Sequence, residues 1–285
     1  MHEKNVFEII EAAYPSLSKS QKRIADYYLY NYDQAVFMTA KKLAQRLGIS
    51  ESTVVRFAVT VGYKGFPKLQ EHLRVSIKNV MTTKQRLTIK KEPQSLEDNI
   101  RNSFARDVQD IRSTHESLNI KNVQMIAKAL MKSKRIYVIA NRSSKIIADY
   151  LVYYLNFFHP DVHATHHGVN EIYEQLNHLM EEDLVVIINF PRYTNRTLEL
   201  AKLVHSKGIA ILAVTDAQDA PIVQYAAYEL YASYSFDSFI DSHTASMSLI
   251  NALVTAIAYE NYEEASERLQ NLEELWKQYD TYYDG

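Results

Sequence analysis

No cysteine occurs among the 285 residues, which excludes disulfides and thiolate metal centres and is compatible with a reducing compartment. No apolar run approaches the roughly eighteen residues that a membrane span needs. The N-terminal stretch MHEKNVFEIIEAAYPSL has no basic flank followed by an apolar core, so no export or anchoring signal is read there. The expectation is a cytoplasmic chain with no membrane partner. A strong excess of either charge is also missing, the net charge being -2, and 47% hydrophobic with 23% charged residues fits neither a disordered nor a fibrous class. The length accommodates two domains with separate cores.

The small net charge conceals an asymmetry. Residues 1–80 carry 12 Lys and Arg against 7 Asp and Glu, a balance of +5 that leaves -7 for the remainder. Surface helices are often lysine-rich for no special reason, yet a basic N-terminal portion favours a nucleic-acid face. Within it, Ala40, Leu43, Ala44 and Leu47 fall at i, i+3, i+4 and i+7, and Val54, Phe57, Ala58 and Val61 repeat that spacing. Between the two amphipathic helices, Gly48 can take a positive φ, Ile49 can plug the elbow, and Ser50 can cap the second helix with Glu51 at its positive end. The pattern is that of a helix-turn-helix.

Burying Val54, Phe57 and Ala58 turns Ser52, Thr53, Val55, Arg56, Val59 and Thr60 outward. Arg56 can grip a guanine edge and Val55 a thymine methyl. Candidate DNA contacts are therefore Ser50, Ser52, Thr53, Val55 and Arg56, with Lys41 and Lys42 on phosphates, against a duplex with two-fold related half-sites. An ordinary helical hairpin shares the periodicity, but the joint register of alanine, glycine and two apolar positions favours DNA reading.

Residues 5–78 look helical throughout, with a capping box at Ser18 and Gln21 and Pro67 in a first turn. The polar stretch from Met81 to Asn99, with Pro93 inside it, reads as a linker. A helical stretch over 100–132 follows, then strands at 135–140, 161–166, 184–190, 209–216 and 228–233 alternate with helices at 144–158, 169–179, 195–206 and 221–226. Apolar Val and Ile runs imply strands buried on both faces, hence a doubly wound parallel α/β sheet. Two helices, 245–259 and 263–279, close the chain. The expected domains are 1–80 (helix-turn-helix), 81–100 (linker) and 101–285 (α/β). Tyr150, Tyr153, Tyr154, Phe157 and Phe158 make the helix after the first strand aromatic, which suits a core or a homodimer or homotetramer interface.

In such a sheet, ligands bind beyond the carboxyl ends of the strands. The loop Asn141, Arg142, Ser143, Ser144 follows the first strand, and Pro191, Arg192, Tyr193, Thr194, Asn195, Arg196 follows the third. Hydroxyls and guanidinium groups at helix starts suit a phosphate or carboxylate, while capping by Ser144 and Thr194 with solvated arginines accounts for the same residues. His163, His166 and His167 cannot converge on a metal from one strand without a bend, so no metal and no cofactor are expected. His178, His205, His243, Glu171 and Glu174 stand in no spacing that specifies catalysis.

The order of parts, carried by IADYYLYN, LAQRLGISESTVVRF and VGYKGF, resembles the RpiR-type bacterial transcription regulators, whose second half is a sugar isomerase (SIS) domain. The resemblance covers nearly the whole chain. It implies a dimeric or tetrameric non-enzymatic regulator, expected to be a repressor of a carbohydrate or related operon, that senses a phosphosugar or another small anionic metabolite. The alternative is a phosphosugar isomerase with an accessory helical domain. Of the family's first phosphate loop, glycine-x-glycine-x-serine, only Ser144 matches within 140–144. Of the second, serine-x-serine-glycine-x-threonine, only Thr194 matches; Asn189 holds the first serine position, Pro191 removes a backbone donor, and Arg192 fills the glycine position. Ser242 matches the family's later serine-arginine pair, with His243 in place of the arginine. The loop chemistry and the resemblance together give as candidate effector contacts Arg142, Ser143, Ser144, Asn189, Arg192, Thr194, Arg196 and Ser242.

Overall fold

The computed structural model describes residues 5–78, 80–88, 95–165, 171–236 and 238–283, without the side chains of 88 and 171. The described residues separate into two compact units, one formed by residues up to 99 with the short 236–240 segment, the other by 100–235 and the chain from 241 onward.

The first unit is all-helical: α1 (Val6–Ala13), α2 (Lys19–Tyr30), α3 (Tyr32–Ala35), α4 (Ala40–Leu47), α5 (Glu51–Thr60), α6 (Phe66–Ile77) and α7 (Thr83–Thr88). Local chemistry sets the starts. The Ser18–Gln21 capping box opens α2, and Thr39 accepts from the Lys42 amide at the start of α4. The core closes on Ile10, Ile24, Leu43, Phe57, Leu69 and Leu73, all fully buried. Gln70 ties α6 to the end of α3 by donating to the carbonyls of Ala35 at 2.9 Å and Met38 at 2.7 Å.

The linker expected over 81–99 is in part helical, which corrects that reading locally. Thr82 and Gln85 cap α7 reciprocally at 2.9 and 3.2 Å, Met81 is fully buried and Arg86 nearly so. A six-residue helix is too short to display a period, so the sequence hides it. The next helix, α8 (Leu96–Ser117), already starts inside the stretch read as linker.

In the second unit α8 and α9 (Ile120–Lys132) precede β1 (Ile136–Ala140), α10 (Lys145–Leu155), β2 (Val162–Ala164), α11 (Glu171–Asn177), β3 (Leu184–Ile188), α12 (Asn195–Ser206), β4 (Ala210–Thr215), β5 (Tyr228–Tyr231), α13 (Thr244–Glu260) and α14 (Tyr262–Gln278). The helix expected over 221–226 is only the short 3-10 turn Val223–Tyr225. All strand pairings are parallel, in the order β2-β1-β3-β4-β5. Every residue of β1 and β3 is buried. Tyr137, Ile139, Val185 and Ile187 meet Leu176 of α11 and Leu200, Ala201 and Val204 of α12 on one face. By alternation the intervening residues face α9, α10 and α13, with α13 packed against both of the others.

At the amino ends of the strands, Arg135 and Asp183 lock β1 to β3. Arg135 donates through Nε to Oδ1 at 2.9 Å and through Nη2 to Oδ2 at 2.6 Å, and Nη2 also reaches the His178 carbonyl. The Asp183 side chain is fully buried. Burial alone pushes its pKa up, but hydrogen bonds from Arg135 and the Met180 amide outweigh burial and hold the carboxyl below its usual value. A depressed folded pKa contributes stability that is present at neutral pH and lost as pH falls through the carboxylate range. Asp183→Asn is expected to destabilise the protein by about 3 kcal/mol at pH 7, since it leaves a guanidinium half-paired. Urea unfolding should show that deficit shrinking as pH falls below the ordinary carboxylate range and Asp183 itself takes up a proton.

Candidate DNA-reading and ligand-sensing sites

The turn between α4 and α5 is built as its residues dictate. Gly48 takes φ 60°, the Ile49 amide bonds the Ala44 carbonyl at 3.0 Å and the Gly48 amide the Gln45 carbonyl at 3.3 Å, which closes the helix end. Ser50 Oγ then accepts from the Thr53 amide at 3.2 Å and opens α5. Val54, Phe57 and Ala58 are fully buried, and Phe57 stacks on Tyr28 of α2 at 5.9 Å. This packing fixes which side of α5 faces outward.

On that outward side lie Ser52, Val55, Arg56, Val59 and Thr60, all exposed, with Lys41 and Lys42 exposed on α4. One expected contact, Thr53, and the outward-facing Thr60 are partly committed within the protein. Thr53 is half-buried and its hydroxyl lies 2.7 Å from that of Ser50, which is itself the cap. Thr60 accepts from Gln21 at 2.8 Å. The exposed set centres on Arg56 and Val55, a guanidinium beside an apolar surface, which is the chemistry of base-edge contact.

In the α/β unit the strand order reverses between β1 and β3, since β2 lies to one side of β1 and the later strands to the other. Parallel sheets bind ligands at the carboxyl ends beside such a switch point, which here lies between the loops after β1 and β3. Asn141 and Asn189 extend their strands there, one residue beyond the paired Ala140 and Ile188. Asn141 Nδ2 donates to Thr197 Oγ1 at 2.8 Å, and Thr197 lies 2.7 Å from Thr194 Oγ1, which caps α12. Asn189 is 3% exposed and Thr197 fully buried.

The remaining expected residues take distinct places. Ser144 is buried but makes no capping bond; a 3-10 turn over Arg142–Ser144, entered with Arg142 at φ 55°, leads into α10 instead. Simple capping therefore does not account for Ser144. Ser143 is half-buried, and Arg142 and Arg192 are exposed. Arg196 lies over the Tyr173 ring at 4.5 Å and donates to its hydroxyl at 2.6 Å. The Ser242 hydroxyl donates to Asp107 at 2.6 Å near the start of α13. Sequence reasoning passed over Thr197 and the bond from Tyr193 to Asp216 at 2.5 Å, which holds the second loop against the end of β4. Burial, then the neighbouring Asp216 carboxylate, pushes the Tyr193 phenol far above its ordinary value. The Thr194–Thr197 spacing was the one available signal for Thr197.

His163 stacks on Tyr137 at 4.9 Å and pairs with Asp161, while His166 and His167 lie outside the described residues. Among the described residues no cluster of His, Asp or Glu can hold a metal. No helix among them is long and apolar enough to cross a membrane.

Comparison with known proteins follows this division. Residues 4–80 match the helix-turn-helix domain of the rpiR family, and residues 129–256 match the SIS domain. A helix-turn-helix-type transcriptional regulator of Haemophilus influenzae is 26% identical over 79% of each chain. The regulator HexR of Escherichia coli is 24% identical over 96% of this chain and 95% of its own. Among solved structures, the fold is shared with the Vibrio vulnificus NanR protein complexed with ManNAc-6P, at TM-score 0.58 and 21% identity over 96% of this chain and 98% of that one. It is shared also with the sugar isomerase domain of an RpiR transcription factor from Sphaerobacter thermophilus, at TM-score 0.58 and 20% identity over 64% of this chain and 99% of that one.

The turn geometry makes a direct prediction. A Cβ added at Gly48 meets nothing within 4 Å, so Gly48→Ala is opposed by backbone conformation alone, a loss of about 1 to 2 kcal/mol. Urea unfolding should register that loss, and Gly48→Asn should lose less, because asparagine visits the left-handed region more readily.

Proposed function

The chain belongs to the RpiR-type regulators, an rpiR-family helix-turn-helix domain followed by a SIS domain, and from that premise we propose a repressor of a carbohydrate or related metabolic operon. In this reading residues 1–80 bind the operator, 101–285 bind a phosphosugar or similar small anion, and the protein works in the cytoplasm as a homodimer or homotetramer. Ser52, Val55 and Arg56 meet bases, Lys41 and Lys42 meet phosphates, and Ser50 and Thr53 orient the end of α5 that enters the groove.

One observation carries the ligand half: at the switch point, Ser144, Asn189 and Thr197 are buried on the loops after β1 and β3 and the start of α12, and Arg142 and Arg192 are exposed on the same two loops. Neutral hydrogen-bonding groups lie inside and positive charge outside, a gradient suited to a polyhydroxylated anion. That the structurally similar NanR protein was solved with ManNAc-6P supports the same class. Arg196 and Ser242, already engaged with Tyr173 and Asp107, shape the loops that bound it. The relatives named as transcriptional regulators support sensing without turnover.

Duplexes selected from a random pool provide the test. Arg56→Ala should cost about 1 to 3 kcal/mol on the selected site and relax preference at one base pair, whereas Lys41→Ala should weaken selected and random duplexes alike. Equal loss on both for Arg56→Ala contradicts base reading. Arg192→Ala or Thr194→Val should remove the response of operator affinity to a sugar phosphate while leaving ligand-free DNA binding intact. Incubation with fructose 6-phosphate or ribulose 5-phosphate, followed by NMR, should yield no isomerised product.

A further inference from the structure

Two buried polar groups at the carboxyl end of β3 have no partner among the described residues. Asn189 is 3% exposed, and its Nδ2 meets no acceptor. His243, the residue just before α13, has both ring nitrogens shielded from solvent, and neither is hydrogen-bonded. Buried side chains with idle polar atoms are uncommon and call for an explanation.

The position of His243 is imposed from several directions. Its ring meets the buried Phe190 edge-on at 5.8 Å and 65°. Phe190 in turn lies 6.2 Å from Tyr234, whose hydroxyl donates to Asp241 at 2.6 Å. On the other side, the Ser242 hydroxyl is fixed on Asp107. The imidazole is thus held against the residue that follows Asn189, while strand alternation points Asn189 and Phe190 to opposite faces of the sheet. The two idle groups therefore lie on either side of the end of β3.

Burial holds His243 below the ordinary histidine range, against the opposing pull of the Asp241 carboxylate. At neutral pH the ring offers one N–H donor and one bare acceptor nitrogen. Two sugar hydroxyls, one accepting from the N–H and one donating to the bare nitrogen, satisfy such a ring; a fully ionised phosphate, which only accepts, does not. The Asn189 amide adds a second donor.

We infer that His243 and Asn189 form the inner, uncharged subsite of the switch-point site, which takes the hydroxyl-bearing end of a sugar phosphate while the exposed arginines of the two loops hold its anion. The inference rests on the proposed sensing role of that site. It turns His243, which stands where the resembling family carries arginine, into a residue that selects the sugar rather than the phosphate.

Isothermal titration of the full-length protein with N-acetylmannosamine 6-phosphate, fructose 6-phosphate, ribulose 5-phosphate and inorganic phosphate tests it. For the tightest-binding sugar phosphate, His243→Phe and Asn189→Leu should each weaken binding at least about tenfold, with inorganic phosphate unaffected and His243→Asn retaining most of the affinity. The ligand-free His243→Phe protein should melt no lower than the parent, since an idle buried polar group has been removed. Unchanged sugar-phosphate affinity in both variants, alongside a loss in Arg192→Ala, overturns the subsite and leaves the sensing role standing. A wild-type protein that binds none of the sugar phosphates overturns both.

Discussion

Burial of the sheet on both faces is the constraint from which the rest of the α/β unit follows. β1 and β3 are buried at every position, so a polar side chain within either strand must find a partner or be left unsatisfied, and Tyr137 is the one residue there with a polar side-chain atom. Polar chemistry is therefore displaced to the ends. At the amino end it becomes the Arg135–Asp183 lock, with all the partners it needs. At the carboxyl end it becomes Asn141, Asn189 and Thr215, of which Thr215 bonds the Asn189 carbonyl at 2.7 Å, while the Asn189 side-chain Nδ2 meets no acceptor among the described residues. One end is completed by the protein itself and the other is not, and that asymmetry is the physical basis for placing a ligand at the second.

The helical unit obeys a similar rule on a smaller scale. Phe57 is the pivot: it is fully buried, stacks on Tyr28, and fixes the rotation of α5 about its own axis. Once that rotation is set, Val55 and Val59, at 41% and 59% exposure, can only face outward. Exposed β-branched residues next to Arg56 are poor surface for a solvated helix and good surface for a base edge.

Much of this was legible in the sequence because the informative residues act locally. Gly48, Ser50 and the apolar register of 40–61 specify the turn without help from distant parts, and the Val and Ile runs specify buried strands, so the five strands emerge close to where they were expected. Asn195–Ser206 emerges as a helix with the bounds expected. What escaped depends on contacts between residues far apart in the chain. The burial of Met81 over a short helix, the Tyr193–Asp216 bond across 23 residues and the pairing of Asn141 with Thr197 across 56 leave no periodic trace. The idle state of His243 is of the same kind, since only packing against Phe190 shows that its nitrogens are out of solvent.

Coupling between the two halves is the central claim, and linkage makes it testable in reverse. If a sugar phosphate changes operator affinity, the operator must change sugar-phosphate affinity by the same factor. The direct measurement is titration of the tightest-binding sugar phosphate into free protein and into protein saturated with its selected duplex. A repressor released by its ligand predicts weaker ligand binding in the DNA complex, by a factor of about five or more, equal to the ligand's effect on DNA affinity. Identical ligand affinity in the two titrations would contradict the account.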